Sequence, residues 1–442
     1  MGLNKTYQEK AHLLIPAGAH TYSRADDQYP SNAPPILARG KDCYVWDAEG
    51  NKYLDYGMAL RAVTIGYDFE RVSRAAIQEI HKGNNLTRAS VTEVNAAEAL
   101  VNLIPFADMV KFAKNGSTVT SAAVKLSRAH TGRKYVARCV NHPFFSFDDW
   151  FIGNTVMSAG VPEEVRALTR HFSFNDISSL ERLFSELPDQ IACVIMEPAT
   201  AEEPRPAQEL GSGKNFLHQV QNLCKRNGAV FILDEMITGF RWDIRGACKY
   251  YGIEPDLVAY GKGMGNGFSV AALAGKREIM ELGGIHHKKE RVFLISTTHG
   301  AEMMGLGAFL EVLKVYEEMD ITANLWKIGR RLADGINSIC LELGIQDFFE
   351  VTGPLCSPVY VARDREKNVS LEYRTLFSQE MIKGGVFMPW ISIAHMHGGD
   401  AEINLTLDAA RKSLAVYSKA LENGVQDYLV GPAVKPVFRK FN

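Results

Sequence analysis

No apolar run in this 442-residue chain approaches the roughly 20 residues that a membrane-crossing helix needs. The amino terminus carries no secretory h-region, so the expectation is a soluble cytoplasmic protein without a membrane partner. Net charge is nearly absent as well. Lys and Arg number 49 against 51 Asp and Glu, a formal charge of −2, and with no concentrated basic stripe no nucleic-acid partner is expected. Paired cysteines are missing. Cys43, Cys139, Cys193, Cys224, Cys248, Cys340 and Cys356 are odd in number, scattered and never in CxxC spacing. That pattern argues for reduced thiols and against a disulfide framework or a zinc site. Met1–Thr6 fits a loose acylation pattern, but six-residue patterns recur by chance. Internal repeats and low-complexity tracts are absent too.

What remains is a chain with 46% hydrophobic residues, long enough to bury a large core in two or three domains. Short apolar runs alternate with helical patterns in its middle, the mark of βαβ units around a mostly parallel sheet in an α/β fold. Strands are expected at Val110–Ala113, Tyr135–Cys139, Ile191–Met196, Ala229–Leu233, Leu257–Ala259 and Ser269–Ala274. Helices are expected at Ser121–His130 and Phe216–Arg226, the second stopped by Asn227-Gly228. Beyond about 310 come a long helix, strands at Phe348–Val351 and Pro358–Ala362, and helices near 371–383 and 408–423. The division reads as a turn-rich segment 1–70 packing with the small domain, a large domain 71–310, and a smaller α+β domain 311–442.

Two strand ends carry the strongest chemical signal. Ala229-Val-Phe-Ile-Leu-Asp234-Glu235 is an apolar run that stops at two acids, and Leu257-Val-Ala-Tyr-Gly261-Lys262-Gly263 is one that stops at a lone lysine. Ligands of open parallel sheets sit beyond the carboxyl ends of strands, so both groups point into one crevice. An amine that sheds its proton on burial, beside an acid that holds a cation, is the pair that pyridoxal chemistry requires. The bland alternative is a surface lysine on a glycine turn and a helix-capping aspartate. A third element is Val110-Lys-Phe-Ala-Lys114-Asn115-Gly116-Ser117-Thr118, a strand, a small-residue turn and a helix expected from about Val119. Backbone N–H groups at such a start make an anion site, with Ser117 and Thr118 hydroxyls as further donors.

With these residues in place, the sequence resembles the class III pyridoxal-phosphate aminotransferases of fold type I, in the branch similar to glutamate-1-semialdehyde 2,1-aminomutase. The likeness runs from Pro16-Ala-Gly-Ala-His20 to about Leu407. Asp234-Glu-Met-Ile-Thr-Gly-Phe-Arg241 matches the family's DEVxTGFR, Gly261-Lys262-Gly263 its lysine turn, and Met196-Glu197-Pro198 its strand-end Glu-Pro. Ser296-Thr297-Thr298-His-Gly-Ala-Glu302 matches the segment whose threonine reaches a partner's phosphate.

The resemblance implies pyridoxal 5'-phosphate as cofactor, Lys262 as its Schiff-base lysine and general base, and Asp234 as the partner of its ring nitrogen. It implies phosphate binding by Gly116 and Ser117, with Thr118 at a neighbouring position where the family often has an acid. Met236 stands where a valine packs on one cofactor face, and Glu197 and Asn175 match positions near the cofactor. Thr298 would bind phosphate across a homodimer with shared active sites.

Asn141-His142-Pro143-Phe144 departs from the family's aromatic-His-Gly segment. Alignment on Asp149-Trp150 puts Phe144 at the stacking tyrosine, with His142 as an alternative. Arg24 ends a stretch aligned with PGGVNSPVR and falls on an arginine that clamps a substrate carboxylate. Arg61 and Arg241 are further substrate candidates. The implied activity is transfer of an amino group from a small-molecule donor such as glutamate to an aldehyde or ketone, on a carboxylate- or polyol-bearing substrate. The alternatives are an intramolecular aminomutase, a racemase on the same fold, and a cofactor-binding protein without turnover. His395-Met-His397 has two-ligand spacing, but no carboxylate or cysteine completes a metal site.

Overall fold

The computed structural model describes Gly2–Phe441, and the chain divides into two compact units. One comprises Met1–Phe69 and Asp320–Arg439, the other Glu70–Met319 and Lys440–Asn442. In chain order the strands are β1 (Leu37–Lys41), β2 (Tyr44–Asp47), β3 (Lys52–Asp55), β4 (Met109–Ala113), β5 (Tyr135–Cys139), β6 (Thr169–Phe172) and β7 (Ile191–Met196). There follow β8 (Val230–Asp234), β9 (Leu257–Tyr260), β10 (Ala271–Gly275), β11 (Phe349–Thr352), β12 (Val359–Ala362) and β13 (Val386–Phe387).

The larger unit is built on a seven-stranded sheet in the order β4-β10-β9-β8-β7-β5-β6. Strands β6, β5, β7, β8 and β9 run parallel, and β10 lies antiparallel to both β9 and β4. Six of the seven therefore point the same way, and their carboxyl ends share one edge. Helices cover both faces, which is why β7 (IACVIM) and β8 (VFILD) are apolar almost throughout and fully buried rather than alternating. All six strands expected in this region form, within two residues at their ends. Strand β6 was not anticipated. It is an edge strand reading Thr-Arg-His-Phe, half polar because one side of it meets solvent.

The helix expected from Val119 starts at Gly116 instead and runs to Thr131, because the Asn115 side chain accepts the Thr118 N–H and caps it there. The helix Phe216–Asn227 ends, as its sequence predicts, on Gly228 in the left-handed conformation.

The other unit holds a four-stranded sheet, β1-β2-β3-β13, and the hairpin β11-β12. Its longer helices are Leu3–Leu14, Ile321–Glu342, Leu371–Lys383 and Asp400–Asn423. The long helix expected after 310 is two, Met303–Met319 and Ile321–Glu342, broken where Asp320 takes φ +45°. His395 and His397 lie on a short 3-10 turn. His397 is buried, its Nδ1 accepting the Ala394 N–H and its Nε2 donating to the Asp55 carbonyl, so it is a structural residue. All seven cysteines are buried and unpaired, and burial pushes the thiols of Cys43, Cys139, Cys193 and Cys340 up to about 12. Among the described residues no helix is long and apolar enough to cross a membrane, and no His/Cys/Asp/Glu group has the make-up of a metal site.

Candidate active site

Asp234 is the last residue of β8, in register with Ala259 of β9, and Lys262 stands two residues beyond the end of β9. Two adjacent parallel strands thus deliver an acid and an amine at the same sheet edge. Asp234 is 3% exposed and its Oδ1 accepts the Met236 N–H at 2.9 Å. Burial pushes the Asp234 carboxyl above the usual carboxylate range, and the Lys262 charge pulls it back down. A carboxylate at this depth ionises only with a cation for company.

Glu235, its neighbour in sequence, does different work. It is fully buried and accepts the Ala247 N–H at 2.9 Å, the Cys248 N–H at 2.6 Å and the Thr238 hydroxyl. Glu235, not the aspartate, therefore takes the amides at the start of that helix, and the Lys262 charge acts on Asp234.

The turn after β4 closes the arrangement. Asn115 occupies the Thr118 N–H at 2.9 Å and the Thr118 hydroxyl at 3.1 Å, so both Thr118 donors are engaged within the turn. The Gly116 and Ser117 amides belong to the helix's first turn, where no intrahelical acceptor exists. Met236, 7% exposed, ties this turn to the lysine turn. A Cβ on Gly116 would meet its Sδ at 2.8 Å, and one on Gly261 would meet it at 2.6 Å. A side chain at either glycine would have to displace that one thioether. We predict that Gly261→Ala costs about 1–3 kcal/mol, the usual penalty for overpacking. In urea unfolding, adding Met236→Ala should recover much of that loss, whereas simply additive losses would show that the contact is not what constrains Gly261.

The other strand ends contribute as well. His142, beyond β5, is 1% exposed, and its Nδ1 accepts the Glu197 N–H at 2.9 Å beyond β7. That bond leaves the proton on Nε2, and burial pushes the ring's pKa down to about 3, so it is a neutral imidazole. Phe145 and Phe174 pack around it. Phe144 is 47% exposed with its ring edge-on to Phe151. Asn175 binds the backbone of Glu203 and Arg205 and the Glu202 carboxylate, so its polar atoms are used within that loop. Thr298 is exposed on a loop held by Asn85 Nδ2 on its carbonyl and by the Lys114–Glu302 ion pair at 3.1 Å.

The three arginine candidates part company. Arg241 is completely buried, so its guanidinium is removed from any surface that a substrate reaches. Arg24 and Arg61 belong to the other unit. Arg24 is exposed, and among the described residues no hydrogen bond or ion pair engages its side chain. Its charge acts on Tyr29 and Tyr67, opposing the burial that raises both phenols. Arg61 closes an unusual left-handed turn. Sequence reasoning passed over His142 as a buried anchor, the Asn115 cap, and the Asp55–Tyr67 pair beneath that turn. Only the cap had a sequence signal, an asparagine just ahead of a helix.

The residues fit the handles of a phosphorylated pyridoxal: an anion cradle at Gly116-Ser117, an acid for a ring nitrogen, and an amine. Comparison with known proteins shows the family. Residues 27–356 match the family described as Aminotransferase class-III. The chain is 30% identical over 438 residues to glutamate-1-semialdehyde 2,1-aminomutase of Thermus thermophilus, covering 93% of this chain and 99% of that protein. It is 28% identical to 3-aminobutyryl-CoA aminotransferase of Cloacimonas acidaminovorans, over 93% of this chain and 97% of that one. Among solved structures, the Sphingopyxis FumI protein in its PLP internal aldimine form superposes with a TM-score of 0.85 at 26% identity, covering 96% of this chain and 98% of that one.

Proposed function

This chain belongs to the class-III aminotransferase family, and from that premise we propose that it is a homodimeric transaminase acting on carboxylate-bearing substrates, with Lys262 and Asp234 as its catalytic pair. It is an α/β, fold-type I, pyridoxal-phosphate-dependent enzyme. When bound, the cofactor supplies a carbonyl that takes up amines and a ring that withdraws electrons from the bond being broken. The protein's part follows from its own residues. Gly116 and Ser117 N–H groups would hold the phosphate at the positive end of a helix. Asp234, ionised beside a cation, would keep the ring nitrogen protonated. Met236 and Phe144 would flank the ring, and Glu197, whose N–H the His142 imidazole accepts, would border it. Lys262 Nζ would take the proton from the amine-bearing carbon of the substrate and later return one.

The observation that carries this reading is the buried Asp234, opposed by the Lys262 charge at the end of the next strand and joined through Met236 to the Gly116 helix start. A spectral titration of the cofactor-loaded protein with a panel of amines tests it. Amino donors should bleach the lysine-bound cofactor band, and a panel that leaves the band untouched sinks the proposal. An intramolecular aminomutase uses the same residues, but it would consume no external donor in steady state.

Support for a dimer comes from the larger unit. Ile77, Ile80, Leu86, Val91 and Val94 are exposed apolar side chains on and between the helices Glu70–His81 and Val91–Leu103, the kind of surface that a partner covers. Asn85, in the same stretch, holds the Thr298 loop. Thr298 then serves the other subunit's phosphate, and sedimentation of the loaded protein reads the assembly directly.

Arg24, whose side chain meets no hydrogen-bond or ion-pair partner among the described residues, supports an acid group on the substrate, since a guanidinium grips a carboxylate bidentately. Arg24→Ala should raise KM for carboxylated donors roughly tenfold to a hundredfold, the loss of a charge-assisted pair. An unaltered KM would make Arg24 structural. Arg241, being buried, serves the scaffold.

A further inference from the structure

Met58, Ala59, Leu60 and Arg61 have φ of 41°, 49°, 60° and 69°. Four consecutive side-chain-bearing residues thus form a left-handed turn, a conformation that usually admits single glycines or asparagines. Such a run persists only where its surroundings over-determine it, and strain of this kind gathers at ligand clamps.

The surroundings are specific. The buried Asp55 carboxylate accepts the Gly57 N–H at 2.6 Å and the Met58 N–H at 3.0 Å. It also accepts the Tyr67 hydroxyl at 2.6 Å, and the same phenol oxygen accepts the Ala59 N–H at 2.8 Å. Trp390 Nε1 donates to the Gly57 carbonyl at 3.2 Å, and the Arg61 N–H returns to that same oxygen at 3.2 Å. Met58 and Val63 bury their side chains with Ala394. The turn is held from entry to exit, and its exit is Arg61.

We propose that Asp55 and Tyr67 are positioning residues that force this turn so that Arg61, together with Arg24, reads a substrate carrying two acid groups. The proposal rests on the reading of these arginines given above. Neither member of the pair serves the substrate directly. The Tyr67 hydroxyl hydrogen goes to Asp55, and both Asp55 oxygens already hold N–H or O–H groups. The Arg24 charge acts on the same Tyr67, and the Arg61 N–H closes the turn that the pair holds. The pair's effect is on selectivity between acids and uncharged amines.

The test uses cofactor-loaded enzyme and two readouts, the ratio of KM for glutamate to KM for an uncharged primary amine, and the calorimetric Kd of non-reacting glutarate. Tyr67→Phe keeps the ring and deletes both hydrogen bonds. It should raise the KM ratio and weaken glutarate by about tenfold each, the size of one charge-assisted contact. Ala59→Gly leaves the pair intact and relaxes the backbone, and it should weaken glutarate without lowering Tm, which keeps the idea testable if Tyr67→Phe does not fold. Equal losses for glutamate and the uncharged amine, or unchanged glutarate binding in both variants, overturn the positioning role. Arg61→Ala separates the two levels. If it leaves glutarate binding intact, the substrate reading itself fails. If it weakens binding while Tyr67→Phe and Ala59→Gly do not, only the positioning role falls.

Discussion

Lys262→Ala should abolish turnover while leaving a folded protein that still binds pyridoxal phosphate noncovalently. Lys262 follows β9 in a short turn and has φ +41°. Alanine carries the same Cβ as lysine and meets the same backbone constraint, so the substitution adds no new strain. What disappears is the amine. Removing both covalent attachment and the group that moves the proton should lower kcat by roughly four powers of ten or more, about 5.5 kcal/mol of barrier. Two measurements check it. Steady-state kinetics report the loss, and borohydride reduction of the wild-type enzyme followed by peptide mass spectrometry identifies the modified lysine. Near-native activity in the variant, or a label on another lysine, would remove Lys262 from its role.

Asp234→Asn carries the second largest effect, through charge alone. The side chains are isosteric, and the amide oxygen still accepts the Met236 N–H that Oδ1 accepts now. A neutral amide holds no cation, however. In the buried surroundings of Asp234 the electrostatic worth of that charge is far greater than in water. The expected loss in kcat is roughly a thousandfold, about 4 kcal/mol, with circular dichroism and sedimentation unchanged. A kcat within tenfold of wild type would mean that the ring nitrogen is held by another group. Because burial raises the Asp234 pKa and an adjacent cation lowers it, its ionised form is favoured once the cofactor's ring cation is in place.

Much of this site was legible because chemistry interrupts pattern. A buried parallel strand is a run of apolar residues, so a run that stops at Asp234 or Lys262 announces a polar group where the fold otherwise tolerates none. Six of the seven strands of the larger unit's sheet were readable for the same reason. What escaped had no such contrast. Strand β6 mixes Thr, Arg, His and Phe because one side of an edge strand meets water. The left-handed turn at Met58–Arg61 contains no glycine, asparagine or aspartate, the residues by which positive φ is recognised in sequence. Its cause lies twelve residues apart in the chain, in the contact between Asp55 and Tyr67. The division of labour between Asp234 and Glu235 was also invisible, since only the fold shows which carboxylate meets the amides of Ala247 and Cys248. Arg241 sits in a motif as regular as that of Lys262, yet the motif does not reveal that its side chain is interior.

The seven buried thiols have a practical consequence for following this enzyme at work. Maleimide dyes react with exposed thiolates, and buried thiols offer none. The native chain should therefore remain dark to such reagents. One cysteine added on the outer surface of each compact unit would give a chain with two addressable points and no background to remove by mutation. Energy transfer between dyes at those points would then report, molecule by molecule, whether the two units change their separation as an amino donor binds and leaves.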